Sequence, residues 1–147
     1  TPPDGGQPAN RVVIPYPIRG FYEVEWRYDP ATGRYARFSG SQRKPLIDSN
    51  TGQQVTASNV VIMDVQHDLT DLNEDSVNSK SVRTYIVDRQ GPATIIRDGV
   101  AIQGSWRVTE HFNGMELVDA AGNPIPLKPG NTWFQVVPTN FGVTVVG

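Results

Sequence analysis

The run ATIIRDGVAI, from Ala93 to Ile102, decides the fold class of this chain. Residues typical of β-strands flank Asp98-Gly99 on both sides, and an Asp-Gly pair tolerates the two positive φ angles that a type I′ turn needs. A second turn signal, Pro129-Gly130, precedes another apolar run at 132–137. The sequence therefore predicts a two-residue hairpin at 98–99 within a β-rich domain.

Short apolar or alternating runs recur along the chain and are separated by turn residues. The run 59–65 is apolar on both faces, which predicts a central strand covered on both sides. The polar segment 67–81 predicts a long loop with at most one helical turn. About ten short, mostly antiparallel strands with long loops are typical of a sandwich or small barrel. We therefore expect an all-β or β-rich single domain, with further strands at 11–14, 21–28, 34–38, 83–87, 105–109, 115–118 and 143–146.

Composition narrows the class of protein. The chain has 147 residues, a formal net charge of −2 and no cysteine. The chain lacks the excess of positive charge that most nucleic-acid and anionic-membrane binders have. The absence of cysteine excludes disulfides, thiolate catalysis and cysteine-ligated zinc, and no apolar run approaches the roughly 18 residues that span a bilayer. We expect no nucleic-acid partner and no insertion of this chain into a membrane.

The first ten residues differ in composition from the rest. Residues 1–10 contain three prolines and no apolar periodicity, so we predict a disordered linker there and a single β-rich domain at 11–147. The chain starts with threonine rather than methionine. We therefore expect it to be a fragment of a larger protein.

The acidic residues of 67–81 invite comparison with a calcium loop. Asp71-x-Asn73-x-Asp75 matches the first three oxygen positions of an EF-hand. The sixth and twelfth positions are Ser76 and Val82, where that loop requires glycine and glutamate. We predict a solvated connector, no metal site and no cofactor.

Side chains suited to catalysis are few. His67 and His111 are the two histidines that could act as bases near neutral pH. Glu23 and Glu25 share a strand face and could form a carboxylate pair, although solvated charges at a sheet edge explain them more simply. The chain lacks the short motifs of hydrolases, zinc proteases and phosphate loops. We therefore predict no catalytic residue and lean against enzymatic activity for this domain alone.

Basic and aromatic residues alternate between Trp26 and Lys44, which is typical of a contact surface. Strand alternation places Tyr35 and Arg37 on one face and Ala36 and Phe38 on the other. We expect Phe38 to face the core, which leaves Tyr35 and Arg37 exposed. The predicted binding residues are Tyr28, Arg34, Tyr35 and Arg37.

The aromatic side chains can also be divided between core and surface. On 21–28, alternation places Tyr22 on the same face as Trp26 and Tyr28. Large aromatic residues usually anchor cores through their area, so we expect core positions for the three tryptophans rather than an exposed sugar-stacking platform. These tryptophans are Trp26, Trp106 and Trp133.

An ordered set of motifs resembles a known family. The set comprises Trp26-Arg27-Tyr28-Asp29, Thr32-Gly33-Arg34-Tyr35, Thr51-Gly52, Ala57-Ser58-Asn59, Gly91-Pro92-Ala93, Asp98-Gly99, Gly104-Ser105-Trp106-Arg107 and Pro129-Gly130-x-Thr132-Trp133. Over about residues 20 to 138 it resembles the C-terminal domain of the YerB-like bacterial lipoproteins, a family of unknown function. The resemblance implies an upstream lipid-modified signal and a larger N-terminal domain. The family frequently has Pro-His where this chain has Pro45-Leu46, so no role transfers to that position.

The resemblance and the residues together suggest a function class. We expect a non-catalytic, extracytoplasmic accessory or binding domain, anchored to the membrane through the upstream lipid-modified segment. Its expected partners are its own N-terminal domain and a cell-envelope protein or polysaccharide. Two alternatives remain open: a hydrolase of envelope polymers whose site is shared with the N-terminal domain, and a carbohydrate-binding module.

Overall fold

The computed structural model describes residues 5–16, 22–74, 79–109 and 114–147. Strands and turns make up these ranges, in which we find no helix of the length and apolarity needed to cross a membrane. The strands are β1 (Gln7–Pro8), β2 (Arg11–Ile14), β3 (Val24–Asp29), β4 (Arg34–Ser39), β5 (Lys44–Pro45), β6 (Thr56–Ala57), β7 (Asn59–Asn73), β8 (Lys80–Tyr85), β9 (Arg89–Arg97), β10 (Val100–Val108), β11 (Met115–Val118), β12 (Thr132–Pro138) and β13 (Thr144–Val146). The predicted all-β fold is confirmed.

The strands form two sheets. The first sheet has the order β1-β10-β9-β7-β12, with β11 paired to β10 and β8 paired to β7. The second has the order β13-β2-β3-β4-β5, with β6 paired to β4. The pairing is antiparallel except between β12 and β7, which run parallel. The domain is thus a two-sheet, mostly antiparallel structure.

The strand β7 lies at the centre of the first sheet and is covered on both faces, as its apolar run predicts. Val60 and Ile62 pack in the core between the two sheets. Val61, Met63 and Val65 point the other way, into a second core on the far side of the first sheet. The second core also contains Trp106, Leu117 and Ile125. Burial in two cores therefore specifies the register of β7. A slip of one residue would move the side chains of each core to the opposite face of the sheet.

The β9–β10 hairpin turns at Asp98-Gly99, as predicted. The φ angles are 51° at Asp98 and 77° at Gly99, the two positive values of a type I′ turn. Arg97 pairs with Val100 directly across the turn. The ring of Tyr28, on β3, packs against this turn, so the hairpin tip also contacts the second sheet.

A valine at position 99 should destabilise the domain more than a valine at position 52. Both glycines have positive φ, and a β-branched residue is strained there. A Cβ at Gly99 would also lie 3.0 Å from Tyr28 Cε1, whereas a Cβ at Gly52 meets nothing within 4 Å. Denaturant unfolding of Gly99→Val and Gly52→Val tests this, with a larger loss expected at position 99 by roughly 1 kcal/mol or more. Equal losses would contradict the packing of Tyr28 on the turn.

The prediction of a disordered linker at 1–10 is wrong for its second half. Gln7 and Pro8 pair with β10, and the Ala9 N–H donates to the Gly99 carbonyl at 2.7 Å. Ala9 is fully buried. Proline is tolerated because β1 lies at the edge of the first sheet, where a missing N–H breaks no ladder. Residues 1–4 lie outside the described residues.

The predicted loop at 67–81 is also wrong, because β7 continues to Asn73 and pairs with β8. The pairing of β7 with β9 ends at Met63 and that with β12 ends at Val65. Beyond this point, at 66–73 and 80–85, a two-stranded extension leaves the first sheet; we call it the β-arm. Both of its faces are largely solvated, so it carries no apolar alternation from which a strand could be recognised.

Candidate functional site

The positions of the four predicted binding residues follow from the register between β3 and β4. Tyr28 pairs with Tyr35, and Trp26 pairs with Arg37. Tyr35 is fully buried, so the expectation that it is exposed is wrong. Its hydroxyl donates to the Ala9 carbonyl at 2.9 Å and accepts from the Gly99 N–H at 3.1 Å. Tyr35 thus ties β4 to the N-terminal strand and the hairpin turn.

The inward face of β4 is therefore the one that carries Tyr35 and Arg37. Cross-strand pairs share a face, and Trp26 is fully buried opposite Arg37. Phe38 lies on the outer face, where the Arg27 guanidinium covers its ring at 4.0 Å. The expectation that Phe38 faces the core is wrong, because alternation defines two faces without saying which is buried.

Arg34 and Tyr28 have structural contacts. The Arg34 guanidinium donates to Thr56 Oγ1 at 2.8 Å, to Ser58 Oγ at 2.9 Å and to Asn131 Oδ1 at 2.7 Å. Tyr28 is half-buried, with its ring 5.1 Å from the ring of Tyr35. The four predicted residues therefore do not form one common contact surface.

The expectation that Glu25 is a solvated charge at a sheet edge is also wrong. It lies on β3, inside the second sheet, and its side chain is 2% exposed. Its carboxylate accepts from Arg11 Nε at 3.0 Å, from Arg27 Nε at 2.6 Å and from Arg43 Nη1. Three cations thus surround one buried carboxylate, which makes it a structural centre of the outer face.

Arg37 is the predicted binding residue whose surroundings are unusual. Its guanidinium lies 4.4 Å from the centroid of the Trp133 ring, which belongs to the first sheet, and 5.8 Å from that of Trp26. The two indole rings are 5.5 Å apart. Burial lowers the pKa of Arg37, and the nearby Tyr16 hydroxyl partly opposes this effect. The Arg37 guanidinium therefore lies against aromatic ring faces between the two sheets.

The hydrogen bonding of Arg37 sets it apart from other arginines. Among the described residues, its Nε is the one buried side-chain nitrogen or oxygen without a hydrogen-bond partner. The other arginines that are at least partly buried donate to oxygen atoms: Arg34, Arg43, Arg97 and Arg107. An orphaned buried donor is uncommon in folded proteins and requires an explanation.

A cleft of about 250 Å³ lies where the β-arm leaves the first sheet, and Asp64 lines it together with Tyr85 and Arg89. Burial raises the pKa of the Asp64 carboxyl, and a hydrogen bond from the backbone N–H of Asn140 partly opposes the rise. Trp106 Nε1 donates to the Asp64 carbonyl at 2.8 Å and anchors the floor of the cleft. The net shift of the Asp64 pKa is upward because burial is its largest cause.

The described histidine and acidic residues that were weighed for catalysis or metal binding in the sequence do not line this cleft. His67 Nδ1 lies 2.7 Å from the Val65 carbonyl oxygen, a hydrogen bond that commits this nitrogen to the backbone. His111 and Asp75 lie outside the described residues. Asp71 and Asn73 are on β7, and across the described ranges no three histidine or carboxylate side chains come together as a metal site.

The β-arm carries the two most exposed large apolar side chains of the described residues. Leu69 is 76% exposed and Leu72 is 69% exposed, while Val82, the cross-strand partner of Leu69, is 50% exposed. Apolar residues clustered on one projecting element mark interaction sites more often than scattered ones do. The sequence contains this signal only as isolated apolar residues within a polar segment.

Comparison with known proteins agrees with the fold. The model of the family described as "Protein of unknown function (DUF3048) C-terminal domain" matches residues 12–134. The chain belongs to this family. It is 26% identical over 115 residues to the protein named Putative lipoprotein YerB of Bacillus subtilis (strain 168). The match covers 78% of this chain and 31% of that protein.

The crystal structure of the Bacillus subtilis YerB protein has the same fold. It matches with a TM-score of 0.73 and 21% identity, over 98% of this chain and 46% of that one. At this identity the likeness establishes the fold alone. The matches span less than half the length of this relative, both in its full sequence and in its solved chain. The predicted family and its unknown function are confirmed, and the link to a lipoprotein rests on the relative's name.

Proposed function

We propose that this chain is a non-catalytic accessory domain of an extracytoplasmic lipoprotein, and that its β-arm binds the N-terminal domain of the same protein. An upstream lipid-modified segment would anchor the whole protein to the membrane. The observation that carries the proposal is the exposure of Leu69, Leu72 and Val82 on the β-arm.

The physical argument starts from the stability of a two-stranded ribbon. An isolated pair of strands is marginally stable in water without packing on one face. Beyond Val65 the described residues of the β-arm pair only with each other. A partner that covers Leu69 and Val82 would supply the missing packing, so the β-arm suits a docking element better than a free extension.

The family description supports a partner within the same protein. The chain matches a domain described as C-terminal, and it covers 46% of the solved relative. Residues equivalent to the remainder of that relative would therefore be tethered to this domain. Tethering raises the effective concentration of a partner to the millimolar range, so a modest apolar surface is sufficient for binding.

Strand direction is compatible with a partner on the side of the β-arm. The strand β10 runs in the same direction as β7, because each is antiparallel to β9, and β1 is antiparallel to β10. Gly6, the residue before β1, therefore lies on the side of Gln7 that is nearer the β-arm. Gln7 is level with Val60, and Leu69 is nine residues further along β7, or about 30 Å. A globular domain of a few hundred residues is about 40 Å across and spans this distance.

The carbohydrate-binding alternative has less support. Trp26 and Trp106 are 0% and 1% exposed, and Trp133 packs against Trp26. A sugar-stacking platform requires an indole face that is open to solvent. For the hydrolase alternative, Asp64 is the one carboxyl among the described residues that line the cleft, and the nearby His67 is bonded to backbone.

The substitution Leu69→Asp should weaken binding between this chain and a separately produced N-terminal domain by roughly tenfold or more, as at interface hot spots. The melting temperature should remain unchanged, because Leu69 is exposed. Titration calorimetry measures the binding. Ile47→Asp is the matched control, since Ile47 is 52% exposed and lies beside the second sheet, away from the β-arm.

The proposal would be contradicted if Leu69→Asp bound as tightly as the parent, or if Ile47→Asp weakened binding equally. Binding of the parent chain to an envelope protein or polysaccharide, but not to the N-terminal domain, would replace the proposed partner.

A further inference from the structure

A second site lies between the sheets, away from the β-arm, and does not depend on the proposed function. Arg37 on β4 places its guanidinium over Trp133 on β12. Its Nε is buried without an acceptor, although the other partly buried arginines of the described chain have oxygen partners. We propose that Arg37 binds an oxyanion, either a carboxylate or a phosphate group, at this position.

The chemistry of the guanidinium defines the ligand. Its planar fork of N–H groups matches a carboxylate or phosphate, which can accept from Nε and one terminal nitrogen together. Such a ligand would supply the acceptor that Nε lacks and the negative charge that the described surroundings of Arg37 do not provide. Because Nε is buried, this binding requires a small movement of the side chains packed around it.

The neighbouring polar groups are already satisfied and uncharged. Gln135 Nε2 donates to the Tyr16 hydroxyl, which donates in turn to the Val136 carbonyl. Gln135 Oε1 accepts from Trp26 Nε1 at 3.2 Å. Burial raises the pKa of Tyr16, so its hydroxyl stays neutral at physiological pH. These groups do not compete for Arg37, and an incoming oxyanion meets no like charge among them.

The backbone holds Arg37 in place before a ligand arrives. Its N–H donates to the Val55 carbonyl at 2.9 Å, and its carbonyl accepts from the Leu46 N–H at 3.0 Å. Gln54 Nε2 donates to the same carbonyl at 2.8 Å. With the backbone fixed and the side chain held on an indole, little conformational freedom remains to be lost on binding.

Tryptophan fluorescence provides a direct test, because the two indoles nearest the proposed ligand are Trp26 and Trp133. The 147-residue chain is titrated with sodium acetate and, separately, with sodium phosphate, at an ionic strength held constant with sodium chloride. We expect a saturable change in emission with at least one of them. A response to acetate alone assigns a carboxylate ligand, a response to phosphate alone assigns a phosphate, and a response to both assigns a general oxyanion site.

Variants distinguish anion binding at Arg37 from nonspecific attraction to positive charge. Arg37→Met should abolish the saturable response, and Arg37→Lys, which keeps the charge but loses the fork, should weaken binding roughly tenfold. Arg83→Gln removes an exposed charge from the β-arm and should bind as the parent does. If Arg37→Met does not fold, the binding measured for Arg37→Lys tests the proposal in its place.

The inference is overturned if the parent shows no saturable response to either anion. It is also overturned if the response persists unchanged in the folded Arg37 variants, or if Arg83→Gln reduces it as much as they do.

Discussion

Alanine at position 35 should destabilise the domain by about 3–5 kcal/mol, the usual cost of truncating a large buried aromatic residue. Tyr35 is fully buried, packs against Tyr28, and bridges Ala9 and Gly99 through its hydroxyl. Its loss would open a cavity and leave two backbone groups without partners. Denaturant unfolding, with far-ultraviolet circular dichroism as the probe, measures the change.

Two further variants control this experiment. Tyr35→Phe keeps the ring and removes only the hydroxyl, so we expect a smaller loss of about 1–3 kcal/mol from the unpaired backbone groups. Tyr22→Ala removes a tyrosine that precedes β3 and is 58% exposed, and should change stability by less than about 0.5 kcal/mol. A Tyr35→Ala variant as stable as Tyr22→Ala would contradict the assignment of Tyr35 to the core.

The second large effect is expected for Gly91→Val, at the root of the β-arm. A Cβ at Gly91 would lie 2.6 Å from the Asp64 carbonyl oxygen and 2.8 Å from Trp106 Nε1. These two atoms form a hydrogen bond with each other, so the substitution would disrupt it as well as overpack the core. We expect a loss of about 3 kcal/mol, measured by thermal and denaturant unfolding.

Gly142→Val is the matched control, because a Cβ there meets nothing within 4 Å. It should change stability by less than about 0.5 kcal/mol. Equal stability of the two valine variants would mean that Gly91 is not required for the close approach of β7, β9 and Trp106.

Local chemistry explains which parts of the fold could be predicted from the sequence. Asp98-Gly99 specifies its turn through the steric freedom of two adjacent residues, independently of the rest of the chain. The run 59–65 has apolar residues on both faces, which only a strand between two cores can bury.

Features that depend on distant partners could not be predicted in this way. The alternation around Tyr35 defines two faces of β4, but the burial of one face is decided by pairing with β3 and by Ala9, which is 26 positions away. From its neighbours in sequence alone, Pro8 argues against a strand. Proline is nevertheless compatible with a strand at the edge of a sheet. The β-arm lacks an apolar period because neither of its faces is covered within the described residues.

The candidate sites were predicted only in part. Arg37 was recognised from the mixture of basic and aromatic residues, but its position over Trp133 joins residues 96 positions apart in different sheets. Leu69 and Val82 were overlooked because each stands alone among polar residues, and they become neighbours only through the β7–β8 register. Glu25 was taken as solvated because its three arginine partners lie on β2, in the turn before β5, and two residues further along β3.

Hydrogen exchange of the β-arm amides, compared between this chain and a longer protein that includes the proposed N-terminal domain, tests most directly whether the β-arm binds that domain. We expect amides at 66–73 and 80–85 to exchange roughly tenfold or more slowly in the longer protein, because docking stabilises the ribbon. The β9–β10 turn at Asp98-Gly99, which lies at the opposite end of the sheet, should exchange at the same rate in both. Equal exchange rates across the β-arm in the two proteins would contradict the proposed docking.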